Sequence, residues 1–140
     1  SIKIHTINII LDLQEDIKID GYPNELIQCM INIYNNAKDA LVDKNIENKL
    51  IFIETKKVND KVIIKIKDNA KGIPSDILTK IFEPYFTTKH ESQGTGLGLH
   101  MTYNIIVEGM KGIIKTTNKT YTFENHEYTG AEFFIELPLS

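Results

Sequence analysis

Tryptophan is absent from this sequence, and cysteine occurs once, at Cys29. A lone thiol cannot close an internal disulfide, so stability has to come from packing. Set between Gln28 and Met30 in a helical pattern, Cys29 reads as a small buried hydrophobe rather than a reactive group. Long apolar runs are missing too: no stretch approaches the roughly 18 consecutive apolar residues of a membrane span. The opening "SIKIHTINII" lacks a basic region followed by an apolar core, so no signal peptide is expected. It begins on Ser1 rather than Met, and the chain is therefore expected to be a fragment, with room for a membrane segment upstream. Excess positive charge is lacking as well. The 16 Lys and Arg against 19 Asp and Glu give a net charge of −3 and a pI near 5.8, which leaves no footprint for nucleic acid.

What is present suits one globular domain. The chain has 140 residues, 41% of them hydrophobic, which argues against disorder. At this size a domain buries roughly 68–70% of the surface its unfolded chain exposes.

Periodicity organises the chain. Residues 2–20 alternate loosely, and "IKIHTINIILDL" and "IKID" read as two strands. After the turn "GYPN", Pro23 is placed to open a helix, and Leu26, Met30, Ile33, Ala37 and Leu41 form its apolar stripe. That helix should end near residues 44–48. "KLIFIETKKV" and "KVIIKIKD" alternate around "ND", which predicts a hairpin. Between residues 69 and 95 the character changes. Prolines and glycines gather there, and only residues 75–81 look helical, with Ser75 as the expected cap. A poorly structured run of that length in a compact domain tends to be a functional lid. "LGLHMTYNIIVEGM" then predicts a second long helix, and "GIIKTTN" and "AEFFIELPL" close the chain as strands. The order predicts a mixed sheet with helices on one face.

Three places hold chemistry. Gln28, Asn32 and Asn36 recur every four residues, on the face opposite the apolar stripe. Asparagine is a mediocre helix former, and such a row is ordinarily a solvated face. A carboxamide oxygen is also a hard, neutral ligand suited to a Mg²⁺ that holds phosphates. "IKDNAKGIP" ends a strand with Asp68. A strand-end aspartate is usually a turn former, but in a pocket an ionised carboxylate only accepts, and so selects an N–H edge such as the exocyclic amine of adenine. "GTGLGLHM" sets Gly94, Gly96 and Gly98 at the start of a helix, where free N–H groups and the positive dipole end favour an anion. It is neither a P-loop nor the G-x-G-x-x-G fingerprint. Lys89, just upstream, supplies a point charge for outer phosphates.

Taken in order, "NIYNNAKDA", "DNAKGIP", "FEPYFTTK" and "GTGLGLHM" resemble the N, G1, F and G2 boxes of sensor histidine kinases, within the wider GHKL family of ATP-binding domains. The likeness runs from "IDGYPNELIQCM" to "GAEFFIELP", nearly the whole chain. It implies an α/β sandwich of the Bergerat type: a mixed, mostly antiparallel sheet, helices on one face, and a flexible ATP lid at about residues 69–95. Residues 1–140 would form one catalytic, ATP-binding domain. By the same likeness Asn36 matches the asparagine that holds Mg²⁺, and Asn32 its companion one turn earlier. Asp68 matches the adenine-reading aspartate, and Gly72, with Ile73 beside it, the place where backbone approaches the base. Phe82 and Phe86 match the aromatics that order the lid. Gly94, Thr95, Gly96, Leu97, Gly98 and Leu99 match the phosphate loop. Asn32, Asn36 and Lys89 are the catalytic candidates that the likeness implies, with ATP and Mg²⁺ as cofactors.

The resemblance also implies a partner. Such a domain donates the γ-phosphoryl group to a histidine on a separate dimerisation domain, which then passes it to a response regulator. It touches neither nucleic acid nor membrane, and it works in the cytoplasm. Relatives that hydrolyse ATP carry a glutamate where Asn32 stands, and an amide cannot take a proton from water. Kinase is therefore favoured over ATPase. His5, His90, His100 and His126 do not sit in acidic-flanked helical segments, so none is expected to be the acceptor. The alternative is a nucleotide-binding regulatory module without transfer activity. Three positions depart from the pattern. Ala70 replaces the first G1 glycine, which matters only if φ must be positive there. Asp39 stands where some relatives carry a basic residue, and "GMKG" replaces the usual "HGG".

Overall fold

The computed structural model describes residues 6–15, 17–18, 23–84 and 98–139. Its clearest element follows from the two alternating segments around "ND". β2 (Lys49–Val58) and β3 (Lys61–Asp68) pair antiparallel, with Val58 opposite Lys61. The turn holds Asn59 at φ 57, a left-handed conformation that asparagine tolerates better than most residues. Along β3 the two-residue period is strict: Val62, Ile64, Ile66 and Asp68 are buried and their neighbours are not.

Three further strands complete the sheet, in the order β1-β2-β3-β5-β4. β1 (Ile7–Leu13) lies parallel to β2, whereas β4 (Ile113–Phe123) and β5 (His126–Pro138) form a long antiparallel hairpin. β5 inserts between β3 and β4, so the last strand of the chain is an interior one. The sheet is thus mixed and mostly antiparallel, as expected.

α1 (Pro23–Asp43) opens on proline, as expected, and turns Cys29, Ile33, Ala37 and Leu41 fully inward. These residues meet Ile66, Phe133 and Ile135 of the sheet and Ile106 beyond it. Fully burying side chains of this kind favours folding by roughly 1.5–3 kcal/mol each, before the entropy of ordering them. Cys29 is completely buried, in line with its reading as a small hydrophobe.

Four expectations are corrected. The second early strand, "IKID", is absent as far as it is described: Ile17 and Lys18 have no strand pairing, and residues 19–20 lie outside the described residues. The short helix α2 spans only Ser75–Leu78, and Pro74 occupies its cap with no side-chain hydrogen bond. Ser75 is the first helical residue, because Pro74 already fixes the extended entry. The predicted long helix begins as α3 (Gly98–Tyr103) and then widens into a π-helical segment, Asn104–Gly109, closed by Met110 N–H donating to the Ile105 carbonyl at 2.8 Å. Three consecutive β-branched residues, Ile105, Ile106 and Val107, crowd an α-turn, and the wider turn buries Ile106 entirely. Finally, the closing strands run far past "GIIKTTN" and start well before "AEFFIELPL". Residues 118–131 extend the hairpin around Glu124 and Asn125, both at positive φ.

Candidate functional site

Asp68 ends β3 with its side chain on the helix-covered face, 4% exposed. Its Oδ1 accepts the Ala70 N–H at 2.9 Å and the Ala131 N–H at 3.1 Å. Among the described residues no donor reaches Oδ2. Burial pushes the carboxyl above the ordinary carboxylate range, while the two backbone N–H groups and the Lys44 charge pull it back. The result is a buried acceptor whose second oxygen is left for something else.

The long hairpin closes around this carboxylate. Gly130 passes so near the Asp68 carbonyl that no β-carbon fits between them. Tyr121 donates its hydroxyl to the same carbonyl at 2.6 Å. Burial, then the Asp68 charge, raise the Tyr121 pKa, so its hydroxyl stays protonated and able to donate. On the open face the Lys67 ammonium lies 4.0 Å from the centre of the Tyr121 ring, with Phe52 edge-on to that ring.

The loop after Asp68 turns through two left-handed residues, Lys71 at φ 70 and Gly72 at φ 84. Ala70 is not among the positive-φ residues, so its replacement of glycine carries no backbone strain. Three ties hold the loop. Lys71 N–H donates to the Thr129 carbonyl at 2.9 Å. The Lys44 ammonium donates to the Ala70 and Gly72 carbonyls at 2.7 and 2.9 Å. The Asn118 carboxamide pairs with Ile73, accepting its N–H at 2.8 Å and donating to its carbonyl at 2.7 Å.

Towards the other end of α1, Asn32 faces α3 rather than solvent, which corrects the expectation of a face turned away from the core. Its Nδ2 donates to the Gly98 carbonyl at 3.1 Å and to the buried Thr102 hydroxyl at 3.2 Å. Thr102 Oγ1 donates in turn to the Gly98 carbonyl at 2.9 Å, and Gln28 donates to Asn32 Oδ1 at 3.0 Å. Helix geometry brings this about: α3 begins at Gly98, directly beside Asn32 of α1. Asn36, one turn further along, is half-buried, and its carboxamide bonds to no other described residue.

Phe82 packs against Tyr103 and Phe133, with ring centres 5.6 and 6.2 Å apart. His100 Nδ1 donates to the Phe82 carbonyl at 3.0 Å, which leaves Nε2 to accept from Asn104 at 3.3 Å. The two stretches of chain at residues 82 and 100 are thereby joined. Leu99, half-buried, packs against the core.

Of the expected site residues, Asn32, Asn36, Asp68, Gly72, Ile73, Phe82, Gly98 and Leu99 are described, and they fall around α1, the β3 end and α3. Phe86, Lys89, Gly94, Thr95, Gly96 and Leu97 lie outside the described residues, as do His5 and His90. Sequence reasoning missed Lys44, Thr102, Asn118, Tyr121 and Gly130. Only Gly130 carried a signal, since a glycine interrupting an apolar strand pattern marks a close backbone approach. The others act through partners far away in sequence, and no local period reveals them.

Comparison with known proteins bears on the fold and the family. Residues 21–140 match the family described as "Histidine kinase-, DNA gyrase B-, and HSP90-like ATPase". Sensor histidine kinase ZraS of Salmonella typhimurium is 41% identical over 123 residues, covering 87% of this chain and 23% of that protein. Sporulation kinase A of Bacillus subtilis is 34% identical over 125 residues, covering 89% of this chain and 18% of that one. This chain thus spans about a fifth of the kinases it matches. The solved catalytic domain of histidine kinase ThkA superposes with a TM-score of 0.78 at 32% identity, over 96% of this chain and 80% of that one. ThkA in complex with the response regulator protein TrrA superposes at 0.73 and 28% identity, over 97% and 35%. The mixed sheet with helices on one face is thus that of histidine kinase catalytic domains, and the chain belongs to the histidine kinase-, DNA gyrase B- and HSP90-like ATPase family.

Proposed function

We propose that this domain binds ATP with Mg²⁺ and presents the γ-phosphoryl group to a histidine on a separate dimerisation domain, as the kinase half of a two-component sensor. One observation carries the reading: Asp68 is a buried carboxylate held by two backbone N–H groups with its other oxygen left over, and by resemblance it matches the family's adenine-reading aspartate. Such a group accepts from an exocyclic amine and rejects a carbonyl edge. The base would lie against Gly72 and Ile73, and the phosphates would run along α1 towards Asn36 and the start of α3. From Lys44 back to Asn32 that distance is about 18 Å along the helix axis.

The residues fit a phosphate-bound Mg²⁺. Among the described residues no three acidic, His or Cys side chains gather into a metal cage, and Asn36 offers a neutral hard oxygen without another partner. Such a donor suits a Mg²⁺ that takes its remaining ligands from phosphates and water. When bound, the ion would neutralise charge on the β- and γ-phosphate oxygens. Transfer needs the histidine nitrogen in line with the γ-phosphorus while the bond to the β–γ bridging oxygen breaks and ADP leaves. Asn32 supports transfer over hydrolysis, since its amide is engaged with Gly98 and Thr102 and takes no proton from water. ThkA, solved with a response regulator, supports a regulator as the downstream partner. Among the described residues no helix is long and apolar enough to cross a membrane.

Calorimetry with ATP, with and without Mg²⁺, tests the reading on the wild type, Asp68→Asn and Asn36→Ala. Mg²⁺-dependent binding that is abolished by Asp68→Asn, and that loses its metal dependence in Asn36→Ala, is expected. Absence of wild-type binding up to millimolar ATP would sink it.

A further inference from the structure

We infer that Asn118 is a positioning residue for the adenine end of the site, acting through Ile73 and Gly72. The inference rests on the nucleotide reading given above.

The loop from Asp68 to Pro74 has a shape it would not keep unaided. Lys71 and Gly72 are consecutive left-handed residues, and for Lys71 that conformation is intrinsically unfavourable. Past Asp68, and among the described residues, only Lys71 N–H bonds it to a strand backbone. What the loop lacks in main-chain pairing, Asn118 supplies. Its carboxamide meets both polar groups of Ile73, at 2.8 and 2.7 Å, as a neighbouring strand would. Gly72 follows from the same contact. A β-carbon there would stand 2.9 Å from Asn118 Oδ1 and 3.0 Å from Cγ, so the carboxamide lies where a side chain would otherwise be.

Register turns this tie into a positioning device. Asn118 on β4 is directly opposite Ala131 on β5, the residue whose N–H holds Asp68 Oδ1. One rung of the hairpin therefore fixes both the carboxylate and the loop beside it. The distance between the acceptor for the amine and the backbone against the base is set by that rung. Asn118 itself is exposed, and its substitution leaves the core untouched. Lys44 reaches the same loop from the end of α1, holding the Ala70 and Gly72 carbonyls, and gives an independent handle on it.

Three readouts on this 140-residue chain test the assignment: ATP affinity, its enhancement by Mg²⁺, and melting temperature without nucleotide. Asn118→Ala removes two hydrogen bonds to one backbone residue, and ATP affinity is expected to fall about tenfold. The factor by which Mg²⁺ improves binding should stay unchanged, because the metal would act at Asn36, about 12 Å back along α1 from Lys44. The unliganded melting temperature should move by no more than about 2 °C. Lys44→Met should weaken ATP in the same Mg²⁺-independent way, and it decides the matter if Asn118→Ala does not fold. General loosening of the domain would instead lower affinity and Mg²⁺ enhancement together, with a large drop in melting temperature, and that result overturns the assignment. So does ATP affinity within twofold of wild type in both variants. If Asp68→Asn abolishes binding while Asn118→Ala and Lys44→Met do not weaken it, the nucleotide reading stands and this inference falls. A wild type that binds no ATP removes both.

Discussion

The two ends of α1 are built in different ways. At its C-terminal end, around Asp68, backbone does most of the holding: Ala70 and Ala131 N–H on the carboxylate, Thr129 on Lys71, and Gly130 pressed against the Asp68 carbonyl. Nearer its N-terminus a ladder of side chains does it, from Gln28 through Asn32 to Thr102 and Gly98, and Asn36 beside that ladder bonds to no other described residue. The first end is part of the sheet and exists whenever the sheet does. The second joins two helices through hydrogen bonds worth about 1 kcal/mol each, so it can yield to a ligand at modest cost. On the proposed reading, choice of base is built into the fold, and recognition of the phosphates is completed by the nucleotide itself.

Substitutions can break this contrast at different depths. The largest effect is expected from Gly130→Ala, whose new methyl would occupy the Asp68 carbonyl. The sheet must shift to admit it, at a cost of at least ~3 kcal/mol, and urea denaturation should show a chain unfolded or barely folded. Next comes Asp68→Asn. Loss of ATP binding by ~100-fold or more is expected by calorimetry, because the amide would present a donor where an acceptor is needed. The unliganded fold should nevertheless be as stable or more so, since Asn keeps an oxygen for Ala70 and Ala131 and removes a buried charge.

The same variant sharpens a pH dependence. Burial raises the Asp68 pKa in the folded state, so between the ordinary carboxylate value and the raised one the folded chain binds the proton that the unfolded chain has released. Stability contributed by this group is therefore present at low pH and lost as pH rises through the folded pKa. Melting curves of wild type and Asp68→Asn should differ by this fall alone. ATP affinity should move oppositely, weakening as acid protonates Asp68 at a pH above the usual carboxylate range.

A smaller effect is expected at the helix-to-helix end. Thr102→Val removes the hydroxyl shared by Asn32 and Gly98 in a fully buried position, at about 1–2 kcal/mol in chemical denaturation. Its influence on ATP should exceed its influence on adenosine, whereas Asn118→Ala should weaken both alike. Smallest of all is Lys61→Ala. Its ion pair with Glu136 spans 3.0 Å at a largely exposed site, and loss of ~0.5 kcal/mol or less is expected from a thermal melt.

How far the sequence revealed this molecule depended on whether a period of two or 3.6 governed each stretch. α1 and β3 were legible because each buries one face along most of its length, and the stripes Cys29, Ile33, Ala37, Leu41 and Val62, Ile64, Ile66 record it. The outer half of the last hairpin was not. In its strand ladder "KTYTFENHEYTG" pairs with itself and it buries little, so it carries no clean apolar alternation. The π-helical segment was invisible for another reason: its apolar residues satisfy a helical pattern while its β-branched crowding decides the turn width. Asp68, Gly72 and Asn36 were legible as positions in ordered motifs. Their surroundings were not, because Asn118, Tyr121 and Gly130 come from a hairpin roughly fifty residues downstream that no motif names.

The interior place of β5 has a consequence for how the chain is made. Sequence order and sheet order disagree: the last of the five strands is the one that separates β3 from β4. Until it arrives, Asp68 lacks its Ala131 donor and its Gly130 neighbour, and β3 has an open edge. A nascent chain stopped before residue 126 therefore has most of its motifs, while the surroundings of Asp68 stay open. Closure has to wait for contacts some sixty residues apart, the slow, non-local kind. On the proposed reading, nucleotide binding would thus appear only with the finished sheet.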